Sequence, residues 1–134
     1  MKFYIASKLE NASQVRQLAK VLKSWGWQHT YDWTGYEPAQ MKEIALNEYA
    51  GVINADLVIV LLPGGRGTHT ELGIATATGK KIVLHSEDPV LFDEYFQAPC
   101  PFYWLPGVKR VCCPFSELLG WLEQRFGSVV MKEY

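Results

Sequence analysis

The chain has 134 residues, one domain's worth, with about half of them hydrophobic and a fifth charged. That length buries roughly two thirds of the unfolded chain's surface, so one core forms without staples. A net charge of −1, with no basic stripe, argues against a nucleic-acid partner and favours a small molecule. Cys100, Cys112 and Cys113 form neither a disulfide framework nor a zinc pattern, so reduced thiols and no metal are expected. No signal-peptide pattern opens the chain and no apolar run reaches the ~20 residues of a membrane span. The expected location is the cytoplasm, away from membranes.

Phe3 to Ala6 is a short apolar run that reads as the first strand. From Asn11 to Trp25 the apolar residues Val15, Leu18, Val21 and Leu22 recur at helical spacing, and Gly26 is a plausible stop. Trp27 to Trp33 reads as a second strand. A second helix is expected from about Pro38 to Asn54, with Ile44, Ala45, Tyr49, Val52 and Ile53 as its apolar face. Asp56 to Leu62 is a continuous apolar run, as a central parallel strand requires.

A glycine-rich loop, Pro63 to Thr70, follows at once. A helix is expected to start at His69 or Thr70 and end near Gly79, followed by a buried strand from Lys81 to His85. Pro89 to Phe96 reads as a short helix, and Phe102 to Leu105 and Val108 to Cys112 as short strands. Pro114 to Phe126 is a final amphipathic helix, and 127–134 a tail. Strand and helix alternate, which implies an α/β fold: a mostly parallel sheet with helices on both faces. Ligands of such sheets sit at the carboxyl ends of the strands, near the topological switch point.

The loop is the strongest chemical signal. Gly64, Gly65 and Gly67 let the backbone turn sharply and approach a ligand closely. The helix behind it aims free N–H groups and its positive dipole end at the same space, which favours an anion. Neither a Walker lysine nor GxGxxG is present. Glu71 falls in the expected first turn, where an acid is ordinarily a cap; the competing reading is a carboxylate nucleophile. His69 admits a general-base reading or a solvent-facing one. His29 and His85 read as structural. One or two of Trp27, Tyr31, Trp33 and Tyr36 are candidates to stack on a planar ligand, against the alternative of core packing.

Phe3-Tyr4-Ile5-Ala6-Ser7, Asp56-Leu57-Val58-Ile59-Val60, Gly67-Thr68-His69-Thr70-Glu71-Leu72-Gly73-Ile74-Ala75 and Gly79-Lys80-Lys81-Ile82-Val83, in this order, resemble the nucleoside 2-deoxyribosyltransferase family. That family includes the 2′-deoxynucleoside 5′-monophosphate N-glycosidases. The resemblance implies one flavodoxin-like (Rossmann-like) domain over residues 1–134 and no cofactor. It implies a catalytic Glu71 that attacks the anomeric carbon, oriented by Tyr4 of the first strand. The family's second acid, an aspartate in the helix before the central strand, falls near Glu48, one methylene longer; Asp32 is the other candidate.

The same resemblance assigns the glycine segment (Gly65, Arg66, Gly67 and Thr68) to the substrate. Arg66, with no acid before Glu71, points to a 5′-monophosphate; Ser7 adds a contact and Trp33 a base-stacking face. The implied partners are a nucleoside or nucleotide substrate and a second copy of the chain, as a homodimer or higher homo-oligomer. The competing function is a non-catalytic module that senses a nucleotide in the same pocket.

Overall fold

The computed structural model describes residues 1–35, 39–95 and 98–127. Five parallel strands form one sheet: β1 (Lys2–Ala6), β2 (Gln28–His29), β3 (Leu57–Leu61), β4 (Lys81–Ser86) and β5 (Val108–Cys112), in the order β2-β1-β3-β4-β5. Among the described residues four α-helices accompany them: α1 (Ala12–Ser24), α2 (Met41–Ile53) and α3 (Arg66–Ala77) between successive strands, and α4 (Phe115–Leu122) after β5.

Alternation along the strands divides the core. Phe3 and Ile5 of β1, with Leu57, Ile59 and Leu61 of β3, meet Val15, Leu18 and Leu22 of α1 and Leu118 and Leu122 of α4. Tyr4, Ala6, Val58 and Val60 face the other way, toward Val52 of α2 and Leu72 and Ala75 of α3. Every residue of β3 is buried, the sign of a strand covered on both faces. The strand order reverses direction between β1 and β3, so the crevice of this fold opens at their carboxyl ends.

Several elements depart from expectation. The second strand pairs only through Lys2↔Gln28 and Phe3↔His29. Beyond it, the Trp33 indole N–H donates to the Ile5 carbonyl at 2.7 Å. A side chain thus takes an acceptor that a longer strand would have used, and the chain leaves the sheet. Helix α2 begins at Met41; the expected start at Pro38 lies outside the described residues. Its buried residues are Gly51 and Val52, while Tyr49 is exposed, so the apolar face predicted from spacing is only partly used.

The expected strand at Phe102 to Leu105 is a short 3₁₀ turn, Pro101–Trp104, that Pro101 opens and that drives Tyr103 into the core. Another such turn, Pro89–Phe92, replaces the expected short helix. After Leu122 the last helix widens into a π-helical turn, Glu123–Gly127. Gly127, expected to open the tail, closes that turn, and 128–134 lie outside the described residues.

The largest revision concerns α3. It starts at Arg66, with Gly65 as its N-cap, because the Thr68 hydroxyl accepts the Gly65 N–H at 3.1 Å. A side chain three residues in thereby satisfies a donor that would otherwise be free. Glu71 is consequently the sixth helical residue, in the second turn.

Candidate active site

Glu71 sits too deep in α3 to cap its free N–H groups, which belong to the first turn. Its side chain points inward and is only 7% exposed. The Tyr4 hydroxyl, from the middle of β1 and fully buried, donates to Glu71 Oε2 at 2.7 Å. Glu48 of α2 stands beside the same carboxyl in the cavity wall and acts on it electrostatically. Two carboxyls and a phenol therefore meet where α2 and α3 cross the sheet.

Burial pushes the Glu71 carboxyl well above the ordinary carboxylate range, and neighbouring Glu48 pushes the same way; the Tyr4 hydroxyl opposes them. Burial, followed by the Glu71 charge, holds the Tyr4 hydroxyl firmly protonated. Tyr4 is thus a donor that stays a donor. Its ring is admitted by Gly51 of α2: a Cβ there would stand 2.8 Å from Tyr4 Cδ1 and Cε1.

Glu71 and Glu48 form part of the wall of a cavity of about 330 Å³ at the carboxyl ends of β1 and β3. Gly65, Gly67 and Thr68 line it from the start of α3, Ser7 from the end of β1, and Trp33 from the loop after β2. The first-turn N–H groups of α3 make this wall attractive to an anion. The Ser7 hydroxyl donates to the Leu61 carbonyl at 2.7 Å and accepts from Asn11 at 2.9 Å. It ties the ends of β1 and β3 together rather than offering its proton to the cavity.

Two predicted site residues lie apart. Asp32 does not line the cavity; its Oδ1 accepts the Thr34 N–H at 2.8 Å and the Thr34 hydroxyl at 2.5 Å. Burial raises this carboxyl, but the Thr34 bonds outweigh it and hold it below its usual range, as befits a turn carboxylate. Arg66 is exposed and is absent from the cavity wall.

His69 serves neither reading made of it. Its Nδ1 meets the Gly65 carbonyl and its Nε2 the Tyr103 hydroxyl, both at 2.7 Å, and the rings stack. Toward the Gly65 carbonyl Nδ1 donates, and Nε2 shares a hydrogen bond with the Tyr103 hydroxyl. Both nitrogens are committed to holding the turn before α3.

Other wall residues were given no individual role in the sequence. Lys8 supplies a cation, with Asn47 and Ile44 of α2 beside Glu48. Lys8 lies directly after Ser7, so its place behind a strand at the switch point was the available signal. Tyr31, noted only as one of several aromatics, joins Trp33 in the wall, whereas Trp27 is in the core on the opposite face and Tyr36 is outside the described residues. Among the described residues no group of three or more His, Cys, Asp or Glu side chains is placed to hold a metal.

The profile of the family described as Nucleoside 2-deoxyribosyltransferase matches residues 3–129. No curated protein sequence matches the chain. Among solved structures, the Clostridium botulinum CMP N-glycosidase BcmB superposes with a TM-score of 0.69 at 22% identity, over 92% of this chain and 99% of that one. A conserved protein from Enterococcus faecalis V583 superposes at 0.59 and 22% identity, over 94% and 99%. At these identities the likeness speaks for the fold.

Proposed function

The chain belongs to the nucleoside 2-deoxyribosyltransferase family, and from that premise we propose that it cleaves the N-glycosidic bond of a (deoxy)nucleoside 5′-monophosphate, with Glu71 as nucleophile. The observation that carries this reading is the buried Glu71 carboxyl, hydrogen-bonded to Tyr4 and set beside Glu48 in the wall of the cavity.

Two carboxyls set side by side in a buried wall are best served by one shared proton. When substrate enters, that proton goes with Glu48, and Glu71 is left as the anion. Tyr4 fixes Oε2 and leaves Oε1 for the anomeric carbon. Attack forms a C1′–O bond to Glu71 and breaks the C1′–N bond. The electron pair leaves on the base, which takes the Glu48 proton. Water, or a second base, then attacks C1′ with Glu48 as general base and releases Glu71. The products are a free base and a sugar 5-phosphate, or a new nucleotide when a base resolves the ester. This is the two-step logic of retaining glycosidases applied to a C–N bond.

The N–H groups at the start of α3, with Lys8, support recognition of a 5′-phosphate. Trp33 and Tyr31 support a stacked base. Exposed Met41, Leu46 and Tyr49 on α2 support assembly with a second copy of the chain. The three free cysteines support a reducing compartment, the cytoplasm. No described helix is long and apolar enough to cross a membrane.

The test is to incubate the protein with each nucleoside and deoxynucleoside 5′-monophosphate and each free nucleoside, with and without a second base, and to separate the products by chromatography. Base release from a monophosphate, abolished by Glu71→Ala, is expected. Release that survives this substitution sinks the nucleophile assignment. No release at all, with a nucleotide still raising the melting temperature, favours a binding module over an enzyme.

A further inference from the structure

At the other end of the sheet, far from the carboxyl ends of β1 and β3, a cleft of about 270 Å³ lies between the starts of β4 and β5 and the end of α4. Lys81, Lys109 and Arg125 line it, together with Trp121 and Phe126, and no carboxylate does. Among the described residues none of the three cations has an ion-pair partner.

Their placement is not that of scattered surface charge. Lys109 stands opposite Val83 in the ladder, and Lys81 is two residues before Val83, so both lysines share the face on which α4 packs. The neighbouring Arg110 takes the opposite face, where its guanidinium donates to the Tyr103 carbonyl at 2.7 Å and stacks over Trp104. One face thus uses its cation structurally; the other leaves its cations without an ion-pair partner among the described residues.

The π-helical turn Glu123–Gly127 completes the cleft. It carries Arg125 back over the Trp121 ring, 5.7 Å from its centre, and sets Phe126 at the ring's edge. Such wide turns are rare and recur frequently at functional sites. Three like charges held around a half-buried indole repel one another, and an anion relieves that repulsion. Aromatic wall and cations together match a planar group carrying phosphate.

We propose that this cleft is a second ligand site, separate from the cavity that holds Glu71, and that it takes a phosphate-bearing planar molecule of nucleotide type. The lysines and Arg125 hold the phosphate, and Trp121 stacks on the ring. Occupation at this end leaves the carboxyl-end cavity free.

The five tryptophans give the experiment its reporters. Indole N–H resonances of ¹⁵N-labelled protein are followed while adenosine 5′-monophosphate is added, with Trp121 and Trp33 assigned through Trp121→Phe and Trp33→Phe. A saturable shift of the Trp121 resonance is expected. In Lys81→Glu/Lys109→Glu its midpoint should rise roughly tenfold or more as two charge-assisted contacts are lost, while the Trp33 response stays. A Lys81→Ala/Lys109→Ala protein checks that the effect follows the lost contacts and not a misfolded edge. A Trp121 resonance that does not move, or whose midpoint in both lysine variants equals that of the unsubstituted protein, overturns the proposal. Equal response to inorganic phosphate, with adenosine competing not at all, overturns the aromatic half of it. The Trp33 response reports on the catalytic cavity separately, so failure of one site is distinguishable from failure of the other.

Discussion

Glu71 is held at a cost to the fold. Its carboxyl is raised above its ordinary value of 4.5 by burial and by Glu48, so the folded state keeps a proton that the unfolded chain gives up. By linkage, stability associated with this group is fully present below the ordinary value and is lost as pH rises toward the raised one. A glutamine at this position accepts from Tyr4 and has nothing to titrate. Glu71→Gln is therefore expected to abolish base release, by roughly a thousandfold or more. It should also stabilise the protein near pH 7 by about 1–2 kcal/mol. Chromatography and thermal unfolding check the two halves.

Tyr4→Phe tests the opposite sign: the lost hydroxyl had held the Glu71 carboxyl down. The acid limb of the pH–rate profile should move to higher pH, with kcat falling about tenfold to a hundredfold.

At the scale of elements, α2 and α3 do the positioning. Gly51 permits α2 to lie on the Tyr4 ring, and Gly51→Ala puts a methyl 2.8 Å from two ring carbons and 2.9 Å from Tyr31 Cβ. The expected result is a loss of about 1–3 kcal/mol of stability and a fall in kcat larger than any change in KM. Denaturant titration and steady-state kinetics measure these.

The elements also explain what could be read in advance. The run from Leu57 to Leu62 announced a central strand because burial on both faces demands apolar residues throughout. Glu71 and Tyr4 were visible only through a familiar motif, since position alone made one a cap and the other a core ring. Lys8 was legible only as part of the loop after β1, and Gly51, Asn47 and Ile44 were not visible as site residues. Their importance arises where α2 crosses the mouth of the sheet, a contact between segments some 40 residues apart in sequence that no local period encodes. Two boundaries failed for a shared reason. Trp33 and Thr68 each satisfy a backbone group with a side chain, ending β2 early and starting α3 early.

The whole molecule responds to acid through two histidines, half-buried His29 and buried His85, on the α1 and α4 side. Burial lowers the His29 and His85 rings below the ordinary value of 6.5, with the Cys113 carbonyl partly opposing this at His85. His29 Nε2 is buried and has no hydrogen-bond partner among the described residues. Both rings are neutral in the fold and take up protons more readily once it opens, so stability should decline as pH falls through about 6.5. Thermal unfolding between pH 7.5 and 5 checks this. In His29→Phe, which keeps the stacking on Phe3 seen at 4.6 Å, the decline should be shallower.

Helix α3 finally acts as a gauge. Its first turn faces the cavity and its sixth residue bears the carboxylate. With a fixed rise per residue, Gly67 and Glu71 are about 6 Å apart along the axis whatever occupies the cavity. A ligand gripped at the helix start presents its far atoms to Glu71 at one height only. A sugar of different span between its gripped end and its reacting carbon meets the carboxylate out of register. Length along one helix, rather than any contact with the base, would then decide which sugars are cut.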